Sequence, residues 1–373
     1  MSDLTCCAHD DIFFFRFNNK TNQTVADFLN FLLSADTEIQ SDGTKVIRIL
    51  SSIVYWLVCV LGLVGNLLAL YLLRSKYAQK KSTTTIMVMG LAVTDLQFVL
   101  TLPFWAVDTA MDFSWPFGKV MCKVVTSVTL MNMYASVFFL TVMSITRYCS
   151  VVSSLKMKKR SAGCSDKLLC LYIWVVACVA TIPHAIFSTT VAISDEELCL
   201  VRFSDLHSDH QLWLGLYQTL KVLLGFVIPL VIISVCYLLL LRFVNSKKMS
   251  SNNPRKKSKV TKSVAIVVLS FFICWLPNQA ITTWSIIIKF NLVPFTEAFY
   301  ITQAYVFPIT VCLAHSNSCL NPILYCLMRR EFRTGLKELL VKFSPLRRMR
   351  PLLANMAPSK KKGQVPVIIS MSK

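Results

Sequence analysis

The chain has 373 residues, of which 55% are hydrophobic and only 16% charged, and its mean hydropathy is positive. So apolar a composition excludes an ordinary soluble domain and points to a membrane protein. A net charge of +20 would suit nucleic acid, but the basic residues fall in short loops without interleaved base-stacking aromatics, which excludes that partner and leaves membrane lipid with anionic headgroups as the default contact.

Seven apolar runs, at about 49–73, 86–107, 124–145, 168–187, 212–241, 264–288 and 299–328, are each near or above the ~20 residues a helix needs to cross hydrocarbon. The expected fold is an all-α membrane protein, a bundle of seven transmembrane helices. With the amino terminus outside, the segments left inside hold 30 of the 39 Lys and Arg and 3 of the 19 Asp and Glu, against 9 basic and 15 acidic residues outside. Basic loops stay inside, so the N-terminus is expected outside and the C-terminus inside. The plan is an outer tail (1–45), a seven-helix domain ending in an eighth, amphipathic cytosolic helix (46–343), and a basic inner tail (344–373).

The outer tail carries Asn19-Lys-Thr and Asn22-Gln-Thr, two glycosylation acceptors on the luminal side. Its apolar patch at Ile12 to Phe15 follows acids instead of a basic stretch, so a cleaved signal peptide is not expected. In the first run Asn66 needs a neighbouring helix to hydrogen-bond, and Gly62 and Gly65 permit close approach. The second run buries Asp95, a carboxylate that costs several kcal/mol in hydrocarbon unless paired, protonated or hydrated, which makes it a functional candidate. Where this run leaves the membrane stand Trp105, Asp108 and Asp112, spaced three and four apart and hence expected on one helical face. Two carboxylates and an indole suit the arginines of a cationic peptide, by charge-assisted hydrogen bonds and cation–π contact.

The third run has no charge between Lys123 and Arg147, a helical length of roughly 35 Å. Cys122 is thereby placed at the outer boundary, and Arg147-Tyr148 at the inner one within reach of a cytosolic partner. The next outer loop ends in Glu196-Glu197-Leu-Cys199, a second external cysteine behind two acids. His207 and His210 have metal-like spacing, but nothing nearby completes a site and a solvated loop is expected. The fifth run holds Lys221 in its outer half, then Pro229 and Tyr237; the sixth holds Trp275-Leu-Pro277; the seventh holds Asn317 and Asn321-Pro322-Ile-Leu-Tyr325. Each proline frees a backbone carbonyl and bends its helix. From about Arg329 to Phe343, Phe332, Leu336, Leu339, Leu340 and Phe343 share one helical face, and a helix lying on the inner membrane surface is expected, without palmitoylation because no cysteine follows Cys326.

Gly65-Asn66, Asp95, Cys122, Arg147-Tyr148, Trp174, Pro229 with Tyr237, Cys274-Trp275-Leu276-Pro277 and Asn321-Pro322 with Tyr325, in this order on seven runs, resemble the rhodopsin-like (class A) G-protein-coupled receptors over about 46–343. The stretches Pro103–Gly118, Met131–Phe139, Glu196–Phe203 and Leu313–Pro322 are similar to the relaxin-family peptide receptors, of the relaxin-three type or its sibling for a related insulin-like peptide. The resemblance implies a multi-pass plasma-membrane receptor, not an enzyme, with a Cys122–Cys199 disulfide. It implies a relaxin/insulin-like peptide ligand outside, whose arginines would meet Trp105, Asp108 and Asp112, with Glu196 and Glu197 at the pocket mouth and Lys221 on the peptide's terminal carboxylate. A sodium pocket of Asp95, Ser136, Asn317 and Asn321 is implied, sodium being the only metal and no other cofactor being expected. Arg147, Tyr148, Tyr237, Trp275, Pro277, Pro322 and Tyr325 would form the activation switch, and a heterotrimeric inhibitory G protein the inner partner, lowering cyclic AMP.

One departure stands out: the usual acid before the inner arginine is Thr146, so the intrahelical ion pair that restrains this arginine in many relatives is missing. A non-signalling peptide scavenger of the same fold is the alternative that this departure keeps open. Thr129 stands where amine receptors place an aspartate and His315 where opsins place the retinal lysine, which disfavours an amine ligand and a retinal chromophore.

Overall fold

A computed structural model describes residues 4–8, 11–15, 37–74, 83–152, 164–193, 196–203, 210–245, 254–328 and 330–343. The acceptors Asn19 and Asn22, His207 and the inner tail lie outside the described residues. Among the described residues, seven helices are long and apolar enough to cross a membrane: Gly43–Arg74, Thr83–Ala110, Gly118–Ser150, Asp166–Phe187, Leu212–Phe243, Ala265–Lys289 and Glu297–Leu324. They are numbered here as the first to seventh span.

The burial pattern is that of a bundle in lipid. Large apolar side chains such as Leu61, Leu171, Val231, Leu269 and Ile273 lie on the outside, while Asn66, Asp95, Ser136, Asn317 and Asn321 are buried. Apolar residues have no reason to turn inward when the solvent is hydrocarbon, whereas polar groups must find one another. The third span is the hub and touches the second, fourth, fifth and sixth; the first packs on the second and seventh, and the seventh on the sixth. Gly90 allows the closest of these approaches, because a Cβ there would stand 2.4 Å from Phe139 Cζ. Gly65 likewise faces Pro322, at 3.1 Å from a would-be Cβ.

Local breaks follow the prolines and the interior. The second span is two helices, Thr83–Val99 and Leu102–Ala110, the second restarting with Pro103 in its first turn, where a missing N–H costs nothing. In the fifth span a π-helical turn, Leu223–Val227, precedes the helix Ile228–Asn245 that begins around Pro229, and the seventh span has a similar turn at Thr302–Val306. Pro183, Pro277 and Pro322 lie inside their helices. Two antiparallel hairpins add to the expected helices: β1 (Leu4–Ala8) with β2 (Asp11–Phe15), and β3 (Ser188–Ile193) with β4 (Glu196–Val201), the latter in a register that sets Thr190 opposite Cys199. The last helix, Arg330–Phe343, buries Phe332, half-buries Leu336 and exposes Arg333 and Lys337, while the side chains of Leu339, Leu340 and Phe343 lie outside the described residues.

Candidate ligand cleft and polar core

The disulfide end of the bundle is built around Cys122 and Cys199, which are bonded with their Cα atoms 5.6 Å apart. This ties β4 to the start of the third span. Trp115 reinforces the tie: its backbone N–H donates to the Glu197 carbonyl at 2.6 Å, and its buried ring packs 5.7 Å from Trp105 and 5.1 Å from Phe117. On the β3 side, Thr126 and Ser188 hydroxyls meet at 3.2 Å, and Lys123 Nζ donates to the Ala185 and Ile186 carbonyls at 2.8 and 2.7 Å. Those carbonyls are the unfilled acceptors at the end of the fourth span, where a cation is favoured by the helix dipole. The hairpin is thus fixed along both strands, and it holds Glu196 and Glu197 exposed at its tip.

A cleft of about 600 Å³, part of it open solvent, runs among the second, third, fifth, sixth and seventh spans, with Trp105, Thr129, Lys221, Trp275, Gln279 and His315 on its walls. Among the described residues Lys221 is the one Lys, Arg, Asp or Glu on those walls. Trp105 donates its indole N–H to Thr129 at 2.9 Å, so the position at which an amine receptor would present an acid instead fixes a tryptophan. Trp275 Nε1 and Gln279 Oε1 are buried with no hydrogen-bond partner among the described residues. A cleft with one such cation, unspent polar atoms and aromatic walls fits the end of a chain that carries an anionic group.

Asp108 and Asp112 do not stand on one helical face as their spacing predicts. The helix stops at Ala110, the Phe113 N–H turns back onto the Asp108 carbonyl at 2.8 Å, and Asp112 and Phe113 take left-handed φ of 60° and 64°. Asp108 is buried at 4% exposure, while Asp112 is exposed and ion-paired with Arg48 of the first span. Neither these two acids nor Glu196 and Glu197 line the cleft. Of the predicted ligand residues Trp105 and Lys221 do, beside the predicted switch residue Trp275; Asp112, Glu196 and Glu197 are exposed outside it, and Asp108 is buried away from it.

Halfway along the bundle Asp95 is fully buried. Asn321 Nδ2 donates to one of its oxygens at 2.9 Å and Asn132 Nδ2 to the other at 3.3 Å. Ser136 hydrogen-bonds the hydroxyl of Thr94, the neighbour of Asp95, at 3.3 Å, and Asn66 Nδ2 donates to the Ser318 carbonyl at 3.0 Å, linking the first span to the seventh. The Oδ1 atoms of Asn317 and Asn321 are buried without a donor among the described residues. Of the expected pocket residues, Asn321 contacts the Asp95 carboxylate, Ser136 reaches only the neighbouring Thr94, and Asn317 presents a buried amide oxygen from the seventh span. Asn132 was not anticipated, although it lies one helical turn before Ser136 and the same spacing argument would have found it.

At the opposite end Arg147 donates to the buried hydroxyl of Thr84 on the second span. Thr146 bonds back to its own helix, at the Met143 carbonyl and 3.0 Å. Next to this contact Thr83 donates to Asp166 of the fourth span at 2.9 Å. Trp275 packs on Phe271, ring centres 5.9 Å apart, and Tyr237 and Pro322 stand on the facing spans; the side chain of Tyr325 is outside the described residues.

Comparison with known proteins bears on this arrangement directly. The family described as 7 transmembrane receptor (rhodopsin family) matches residues 65–325. Relaxin-3 receptor 1 of Homo sapiens is 57% identical over 358 residues, 87% of this chain and 75% of its own. Relaxin-3 receptor 2 of Homo sapiens is 41% identical over 307 residues, covering 82% and 80%, and the type-1 angiotensin II receptor of Bos taurus is 33% identical over 324 residues, covering 84% and 89%. With the seven spans and the polar core already in place, these matches settle the class: the chain belongs to the rhodopsin family of seven-transmembrane, G-protein-coupled receptors and is a multi-pass receptor of the plasma membrane.

Proposed function

We propose that this receptor binds a cationic peptide of the relaxin-three type at its disulfide end, that this end faces outside the cell, and that it signals through an inhibitory G protein to lower cyclic AMP. The reading is carried by the division of the predicted ligand residues: Lys221 as the cation on the cleft wall beside Trp105 and Trp275, with Asp112, Glu196 and Glu197 exposed above it. A peptide could place its terminal carboxylate on Lys221 while its arginines meet the acidic rim. Both similar relaxin receptors, at 57% and 41% identity, carry relaxin-3 in their names, which favours a ligand of the relaxin-three type.

Inside the bundle, Asp95, Ser136, Asn317 and Asn321 would hold a sodium ion, since a carboxylate and donorless amide oxygens suit a hard cation. The ion would offset the buried charge of Asp95. Arg147, Tyr148, Tyr237, Trp275, Pro277, Pro322 and Tyr325 would carry the rearrangement to the G protein.

The test is nucleotide exchange on purified inhibitory G protein by the reconstituted receptor. Relaxin-3 should stimulate exchange at lower concentration than the sibling insulin-like peptide. Binding without any exchange would instead make the protein a scavenger.

A further inference from the structure

Along the first span Arg48, Ser52 and Tyr55 fall one helical turn apart on a single face, and all three are turned toward the end of the second span. Arg48 is ion-paired with Asp112. Ser52 donates its hydroxyl to the Ala106 carbonyl at 2.8 Å, and Tyr55 is buried in the same apolar cluster as Trp105 and Ala106. The contact between Arg48 and Asp112 is therefore set by a docked helix face and not by two loose side chains. Asp112 itself sits beyond the helix end in a left-handed conformation, which turns its carboxylate toward the first span. Its side chain stays 59% exposed and that of Arg48 20%, so an incoming group has access to the acid but not to the back of the guanidinium.

We propose that Arg48 is an internal competitor of the ligand: in the unliganded receptor its guanidinium occupies the carboxylate of Asp112, and a peptide arginine must displace it to bind there. The inference rests on the reading of Asp112 as a ligand contact. Chemically the exchange is balanced, since one guanidinium leaves a carboxylate and another replaces it with the same charge and the same planar hydrogen-bonding fork. Arg48 then swings into water. The contact lowers apparent affinity by the fraction of receptor in which Asp112 is occupied, as any equilibrium between competent and occupied states does. Exposed ion pairs are weak, so the reduction is about two- to fivefold.

The experiment measures equilibrium binding of relaxin-3 to surface-expressed receptor, normalised to surface number, for the native protein, Arg48→Gln, Arg48→Lys, Asp112→Asn and the Arg48→Gln/Asp112→Asn double variant. Arg48→Gln should tighten binding about two- to fivefold, and Arg48→Lys, which keeps the charge but not the fork, should tighten it less. The gain should vanish in the Asp112→Asn background. It should vanish also for peptide analogues in which the arginine that meets Asp112 is replaced by alanine, found by replacing the arginines singly. Should Arg48→Gln fail to reach the surface, the Arg48→Lys gain and its loss with Asp112→Asn decide the question in the same way. Unchanged or weaker binding by the Arg48 variants, with Asp112→Asn still weakening it, overturns the competitor while leaving the ligand site standing. If Asp112→Asn binds like the native receptor, the ligand contact itself is wrong and the competitor falls with it.

Discussion

At the scale of single residues, the most informative substitution is one that the sequence displays openly. Thr146 stands where the resemblance leads one to expect an acid, and its hydroxyl bonds back to the Met143 carbonyl, while Arg147 hydrogen-bonds Thr84 of another helix. A hydrogen bond to a charged group contributes about 1.5–3 kcal/mol, and whatever part of this is lost on activation biases the resting equilibrium. Thr84→Val keeps the shape and removes the acceptor. It should raise agonist-independent nucleotide exchange severalfold, while Thr146→Asp, which restores a partner on the same helix, should lower it. Equal basal exchange in native and Thr84→Val receptors would show that this contact does not hold the resting state. The absence of an acid at Thr146 was legible because it is a fact of one position, but the substitute was not. Neither Thr84 nor Arg48 has any spacing to its partner in the chain, being 63 and 64 residues away, and only the packed bundle decides which side chains meet. Asn132 differs in this respect, since it shares a helix face with Ser136.

Among the elements, the hairpin of β3 and β4 is the one that the disulfide ties to the third span and that holds Glu196 and Glu197 at its tip. Its disulfide closes a separation of 77 residues, worth about 4–5 kcal/mol in the chain-entropy account, yet Trp115 and Thr126 also hold the hairpin and Lys123 holds the end of the fourth span that leads into it. The fold of the bundle therefore has other support, whereas the position of Glu196 and Glu197 rests on β4. Cys199→Ala should abolish peptide binding in the fraction of receptor that reaches the surface, measured by radioligand binding against surface number. Native affinity in that fraction would reduce the bond to a stabilising role. The seven spans were legible because a lipid-facing helix writes its length and apolarity into consecutive residues. The π-helical turns and the hairpin register were not, since they answer to contacts across the bundle. The early end of the helix at Ala110 was hidden for a specific reason: the left-handed positions after it are occupied by Asp112 and Phe113, where a glycine would have signalled the stop.

For the whole molecule, the question is how the cleft and the Arg147 end sense each other across the bundle, and the polar core lies between them. Asp95 joins the second span to the third through Asn132 and to the seventh through Asn321, and Asn66 joins the first to the seventh through the Ser318 carbonyl. Four spans are thus tied by a few hydrogen bonds around one carboxylate, in surroundings where Trp275 and His315 line the cleft above. A cation held by Asp95 and the oxygens of Asn317 and Asn321 that lack a donor among the described residues would favour the arrangement in which those groups converge, and an agonist would favour one in which they part. Two ligands that prefer different states must oppose each other's binding by the same factor. Raising sodium from nominally zero to physiological concentration should therefore weaken relaxin-3 binding, by about fivefold if the coupling is at the lower end of the usual 1–3 kcal/mol, with potassium as the control for ionic strength. Asp95→Asn removes the charge that attracts the ion while keeping a hydrogen-bonding side chain of the same shape, so its agonist affinity should be the same in both salts. Screening of the acidic rim predicts a different result, in which sodium and potassium weaken binding alike and Asp95→Asn changes neither, and that outcome would remove the polar core from the path between ligand and G protein.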